Sequence, residues 1–210
     1  KLIQATILYV KPDQGFSIEV KCDAPPGSGL GSSAAVAVAL IAALRASKGF
    51  QVPDSEFIVN GSLEVENKLL DNINGGQDQY AATFGGFNYL EWNGGKVQRT
   101  PINVPRRSIL SLEERAVLCY SGFARVSGDV LTRVMSGYTS GDAEVIENLR
   151  IIRRIAGDTK RALLSGDIST LGILLGRNYN AQSKLYKQIN TIDINKIFRL
   201  GKTNGIIGGK

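Results

Sequence analysis

Histidine is absent from these 210 residues. Its absence removes the usual base of a nucleophile triad, the axial ligand of a haem and the nitrogen donor of the common zinc sites. Any chemistry in this chain must run on carboxylates, hydroxyls, lysines, arginines and backbone amides. Cysteine is nearly as scarce: Cys22 and Cys119 stand far apart, without metal-ligand spacing. Two buried thiols in a reducing compartment are expected, not a disulfide or a metal cluster. No run approaches the ~18 unbroken apolar residues of a membrane span, and no charged-then-apolar leader opens the chain. A cytoplasmic protein with no membrane partner is the expectation. Lysine and arginine outnumber acids 25 to 19, for a net charge of +6, which favours a phosphate-bearing ligand. The basic residues are scattered apart from "RIIRR" (150–154), which reads as a solvated helix face, so no nucleic-acid partner is expected.

What is present is an apolar fraction of 43% and 24 glycines, enough for one large or two small domains. "KLIQATILYV" at the start fits a short helix, although its β-branched residues also permit a strand. "GFSIEVKC" (15–22) alternates Phe16, Ile18, Val20 and Cys22 with polar residues, predicting a half-buried strand. A helix is expected over 32–50 and another over 54–70, the second capped by Asp54 or Ser55. Residues 72–92 should hold a turn, a short helix and a strand, with 94–104 as a hairpin return. "PRR" (105–107) is the best boundary, and "RAVLCYSG" (115–122) predicts another strand. Helical patterns then cover about 126–137, 141–165, 167–187 and 191–204. The whole is an α+β chain with a helix-rich second half, and neither end looks finished, so truncation at both ends is expected.

"PPGSGLGSSAA" (25–35) joins the first strand pattern to the alanine-rich helix. The first turn of a helix carries unsatisfied N–H groups and the positive end of the macrodipole, so this junction suits an anion. Gly27, Gly29 and Gly31 remove β-carbons, which lets the backbone curl around phosphate oxygens. Ser32 and Ser33 add hydroxyls that can cap the helix, contact phosphate or reach a phosphate-bound magnesium. The stretch lacks the lysine of a P-loop, and no strand with a terminal acid follows at dinucleotide-fold distance.

Two acids further along can do chemistry. Asp78, in "GGQDQY", can accept backbone N–H groups as a turn residue or take a proton from a bound hydroxyl. Glu66, in "EVENK", can be a solvated helical acid or a ligand for a hard cation. Glu64, two residues away, falls on a different helix face.

"PPGSGLGSSAA" resembles the ATP-binding motif of the GHMP kinases, and "GGQDQYAATFGGFN" (75–88) is most similar to the D-glycero-D-manno-heptose 7-phosphate kinase group within them. The resemblance implies a two-domain fold. The N-terminal α+β nucleotide-binding domain covers 1–105, and the ferredoxin-like, helix-rich domain covers 106–210. It implies ATP and Mg²⁺ as cofactors, with Pro26, Gly27, Ser28, Gly29, Leu30, Gly31, Ser32, Ser33 and Ala34 around the nucleotide. It implies Ser33 and Glu66 as magnesium ligands and Asp78 as catalytic base. Gly75, Gly76, Asp78, Gln79, Tyr80 and Arg125 become substrate contacts, with Asn88 a further candidate. The implied reaction is phosphoryl transfer to a sugar hydroxyl, the anomeric hydroxyl of a heptose 7-phosphate being favoured. Another acceptor, a mevalonate-type acid, or a non-catalytic ATP or sugar sensor of the same fold are the alternatives. A small-molecule sugar is the expected partner, with homodimer formation left open.

Overall fold

The computed structural model describes residues 1–25, 27–50, 54–70, 75–122, 128–185 and 190–210. These fall into two compact units, one of Lys1–Leu90 with Gly122–Leu131, the other of Glu91–Ser121 with Thr132–Lys210.

The first unit is built on α1 (Leu2–Val10), α2 (Ser32–Ser47), α3 (Ser55–Glu64) and α4 (Gln77–Phe84), with one π turn (Val65–Leu69) continuing α3. The opening residues, which could have been helix or strand, are helix. Helix α3 starts where Asp54 accepts the N–H groups of Glu56 and Phe57 at 3.0 and 3.2 Å, supplying partners that a helix terminus otherwise lacks. Ala5, Val38, Ile41, Ile58 and Val65 form the buried cluster joining α1, α2, α3 and the π turn. Thr6, fully buried on α1, donates its hydroxyl to the Leu2 carbonyl at 3.0 Å and so is satisfied. Arg45 lies over Phe57 and Phe50, 3.8 and 4.3 Å from the ring centroids, closing one side of this core.

The π turn breaks the phase of α3. The Leu70 N–H reaches the Val65 carbonyl five residues back, at 3.1 Å, so the chain gains one residue in that turn. Val65 and Leu70 both still meet the core, and Glu66 lies between them.

In the second unit, α7 (Ala143–Ser165) and α8 (Ile168–Leu185) pack through Ile155, Ala162 and Leu174. Asp142 caps α7 by accepting from the Glu144 and Val145 N–H groups. Helix α5 (Arg106–Arg115) packs on α8, and α9 (Ile192–Thr203) follows. "RIIRR" is a solvated face as expected: Arg154 and Arg150 pair with Glu147 at 3.2 and 3.8 Å while staying 71% exposed. The hairpin of β1 (Asn88–Asn93) and β2 (Lys96–Pro101) follows α4 in the chain. Helix α6 (Gly128–Thr139) precedes α7 in the chain.

Two expected strands are not strands. Residues 15–22 and 116–122 lie outside helix and sheet, and α5 takes Arg115, the first residue of the second pattern. Alternation prepares a segment for a sheet, but a strand exists only when a neighbour supplies the ladder hydrogen bonds. Among the described residues, β1 pairs only with β2. The same correction moves the thiols: Cys22 and Cys119 are both exposed, not buried. Helix α5 is an element the sequence pattern does not signal: Pro105, expected as a boundary, is its N-cap, at the helix start where a missing N–H costs nothing.

Candidate active site

Helix α2 begins at an uncapped N-terminus. Its N-cap is Gly31, in the left-handed region at φ 69°, and no side chain caps the first N–H groups. No acid occupies the first turn either, so its positive end is available to an anion. Gly27 and Gly29 share the left-handed conformation, at φ 71° and 77°, as a curled phosphate cradle requires. Ser28 Oγ is buried without a hydrogen-bond partner, a costly state unless a ligand oxygen completes it. Pro26 lies outside the described residues. Leu30 is exposed and Ala34 is buried under the loop at 1%.

Helix α4 brings the second half of the site. A β-carbon placed on Gly31 would lie 3.2 Å from Asp78 Cγ and 3.5 Å from Oδ2. The Asp78 carboxylate therefore rests directly against the glycine that starts α2, and any side chain at position 31 would displace it. Asp78 sits in the first turn of α4, itself exposed. Gly76 is the left-handed N-cap of α4, and a β-carbon there would lie 3.1 Å from a Leu63 methyl. Gly75 is exposed just before it.

Glu66 completes the arrangement from the π turn. It is 3% exposed, and burial holds its carboxyl above the ordinary glutamate range. The Ser33 hydroxyl hydrogen-bonds to it and pulls the other way, the negative charge of Asp78 raises it, and a bond from Gln79 lowers it. Glu64 pairs with Lys68 at 3.4 Å on the solvated side, so only one of the two acids turns inward. Ser33, not Ser32, is the serine linked to Glu66. One carboxylate and one hydroxyl suit magnesium, which commonly takes one or two carboxylates together with substrate phosphates and water. No cluster of three acidic or cysteine ligands occurs among the described residues. The donors present thus fit a cation that arrives with a phosphate chain.

Two expected substrate contacts are placed differently. Gln79 is 1% exposed and donates its amide to Glu66 Oε2 at 2.6 Å. Tyr80 is 4% exposed and stacks on Phe84, 5.9 Å between centroids. Both side chains are directed into packing, because residues one apart on a helix face directions about 100° apart and Asp78 takes the open side. Asn88 donates to the Gly85 carbonyl at 2.7 Å, fixing the turn into β1. Arg125 lies outside the described residues. The inward link from Gln79 to Glu66 was missed from sequence, since "QDQY" carries no signal for which glutamine is buried. The orphaned Ser28 hydroxyl was legible only as one residue of the loop.

Residues 1–86 match the model of the GHMP kinases N terminal domain. The chain is 31% identical over 204 residues to the D-glycero-alpha-D-manno-heptose 7-phosphate kinase of Campylobacter jejuni, covering 96% of this chain and 59% of that one. It is 24% identical to the mevalonate kinase of Pyrococcus furiosus, over 95% of this chain and 57% of the relative. Among solved structures, a D-glycero-D-manno-heptose 1-phosphate kinase from Bacteriodes thetaiotaomicron superposes with a TM-score of 0.73 at 28% identity, over 100% of this chain and 60% of that one. The chain thus spans about 60% of the length of these heptose kinases. The architecture is that of the GHMP kinase fold. No helix among the described residues is long and apolar enough to cross a membrane. The glycine loop, the inward glutamate and the exposed aspartate all belong to the first unit, whose residues 1–86 resemble the N-terminal domain of the GHMP kinases.

Proposed function

We propose that this protein is an ATP-dependent sugar kinase that phosphorylates the anomeric hydroxyl of D-glycero-D-manno-heptose 7-phosphate. The observation that carries the reading is the contact of the Asp78 carboxylate with Gly31 at the uncapped start of α2. It sets a base beside the place where phosphate oxygens would bind. The N–H groups of the 27–34 loop and the Ser28 and Ser32 hydroxyls hold the phosphate chain. Ser33 and Glu66 would hold magnesium, which neutralises phosphate charge. Asp78 orients the acceptor hydroxyl and takes its proton as the oxygen attacks the γ-phosphorus, while the bond to the ADP oxygen breaks. Catalysis of this kind is positioning and charge neutralisation. Arg125 is assigned to a phosphate of the sugar, where a guanidinium can bind two oxygens at once. The nucleotide half of this proposal is residues 1–105 and the helix-rich half 106–210.

Names of relatives support the acceptor class: one is a heptose 7-phosphate kinase and another a heptose 1-phosphate kinase. The test is ADP release by the full-length protein with ATP, magnesium and a panel containing heptose 7-phosphate, heptose 1-phosphate and mevalonate. Turnover with the 7-phosphate sugar is expected. Turnover confined to mevalonate would move the protein to that branch, and ATP binding without turnover on any acceptor would make it a sensor.

A further inference from the structure

We propose that Gln79 is a positioning residue, whose side-chain amide holds the Glu66 carboxylate in the orientation that presents it, together with Ser33, to a divalent cation. The proposal rests on the reading of Glu66 as a cation ligand. Gln79 and Glu66 are among the most buried polar residues of the chain, at 1% and 3% exposure. The amide nitrogen reaches Glu66 Oε2 at 2.6 Å, across 13 residues and from a different element, α4 against the π turn. The bond therefore fixes one carboxylate oxygen from α4, and Ser33 of α2 bonds the same carboxylate.

The chemistry of the donor matters. A lysine or arginine in that place would neutralise Glu66 and compete with the cation for it. An amide N–H orients a carboxylate and leaves its charge intact, which is how residues behind a ligand commonly tune metal affinity. The other end of the same side chain is not used for stability: Gln79 Oε1 is buried with no hydrogen-bond partner. A buried amide satisfied at one end only is poor stabilisation for a core, and an aliphatic residue would pack there at less cost. Its neighbour Asp78 is exposed beside Gly31, so one turn of α4 serves the site twice, from the open side and from behind.

The experiment measures Mn²⁺ binding by electron paramagnetic resonance in the full-length protein with a non-hydrolysable ATP analogue. Parent, Gln79→Met, Glu66→Gln and the double variant are compared, with melting temperature and sugar KM recorded for each. Gln79→Met should weaken Mn²⁺ binding by about 10-fold or more, leave sugar KM within about twofold, and add nothing in the Glu66→Gln background because the two act as a unit. Gln79→Asn withdraws the nitrogen by one methylene and should show the same signature, which keeps the test open should the methionine variant not fold. Unchanged Mn²⁺ affinity with a raised sugar KM would overturn the proposal in favour of a sugar contact. Unchanged affinity with only a lower melting temperature would overturn it in favour of packing. Unchanged affinity in Glu66→Gln would remove the cation-ligand reading and the proposal with it, whereas loss in Glu66→Gln without loss in Gln79→Met would sink the Gln79 role alone.

Discussion

Asp78 and Glu66 are both carboxylates, and their surroundings differ sharply. Asp78 is exposed at a helix start, and the proposed mechanism makes it the base. Replacing it with asparagine should lower kcat by ~10²-fold or more, with ATP binding retained; steady-state kinetics and ATP titration measure both, and unchanged turnover would remove it as the base. Glu66 is buried and its proton affinity is raised, chiefly by burial. The folded state then binds that proton more tightly than the unfolded state. This group's contribution to stability is full below the ordinary glutamate range and is lost as pH rises through the raised native value. Glu66→Gln should therefore raise the melting temperature of the ligand-free protein at pH 7, by ~2–4 °C for each kcal/mol relieved, and make little difference at pH 4. Parallel melts across that range decide it, and an equal effect at both pH values would show that charge burial is not the cause.

Elements convert these residues into a site. The glycine loop leaves the first N–H groups of α2 uncapped, the π turn lets Glu66 face inward without moving Val65 or Leu70 off the core, and α4 sets Asp78 against Gly31. A single methyl tests this junction. Gly31→Ala would force a left-handed alanine, costing ~1–2 kcal/mol, and would place its β-carbon 3.2 Å from Asp78 Cγ. Displacing a reacting group by a fraction of an ångström to 1 Å should reduce kcat roughly 10–10²-fold, with a smaller effect on the melt. Kinetics and melts of Gly31→Ala beside the same change at Gly141, which is exposed, left-handed at φ 78° and open, would separate the two contributions. The core beneath is equally specific: Ile41, fully buried in α2, should cost about 2–5 kcal/mol as alanine, read by denaturant unfolding.

At the scale of the molecule, the apolar stretches 15–22 and 116–122 stand outside helix and sheet. Val117 and Leu118 are 76% and 78% exposed, and Phe16 and Val20 are 43% and 45% exposed. Their cysteines share that exposure. Both Cys22 and Cys119 of the native 210-residue chain should react completely with a disulfide thiol reagent, at rates within about tenfold of an unfolded control, since access and thiolate fraction set the rate. A thiol that reacts only after denaturant is added would show that its stretch is covered.

Much of this protein was legible before any coordinates, and the reason is local. A glycine that must take positive φ, a serine pair at a helix start and an acid in a tight turn are demands of the backbone and of phosphate chemistry, so they are written in spacing. The helices from 32 to 47 and from 143 to 203 were legible because apolar periodicity is also local. Whether "GFSIEVKC" and "RAVLCYSG" become strands was not, because a strand depends on a neighbour that no alternation can supply. Nor could "QDQY" tell that its second glutamine turns inward to Glu66 while the aspartate beside it stays open. The sequence determined which groups can bind phosphate, hold a cation and take a proton. Only tertiary packing decided which of them meet, because burial and a 2.6 Å hydrogen bond between residues 13 apart exist only once α4 and the π turn share a core.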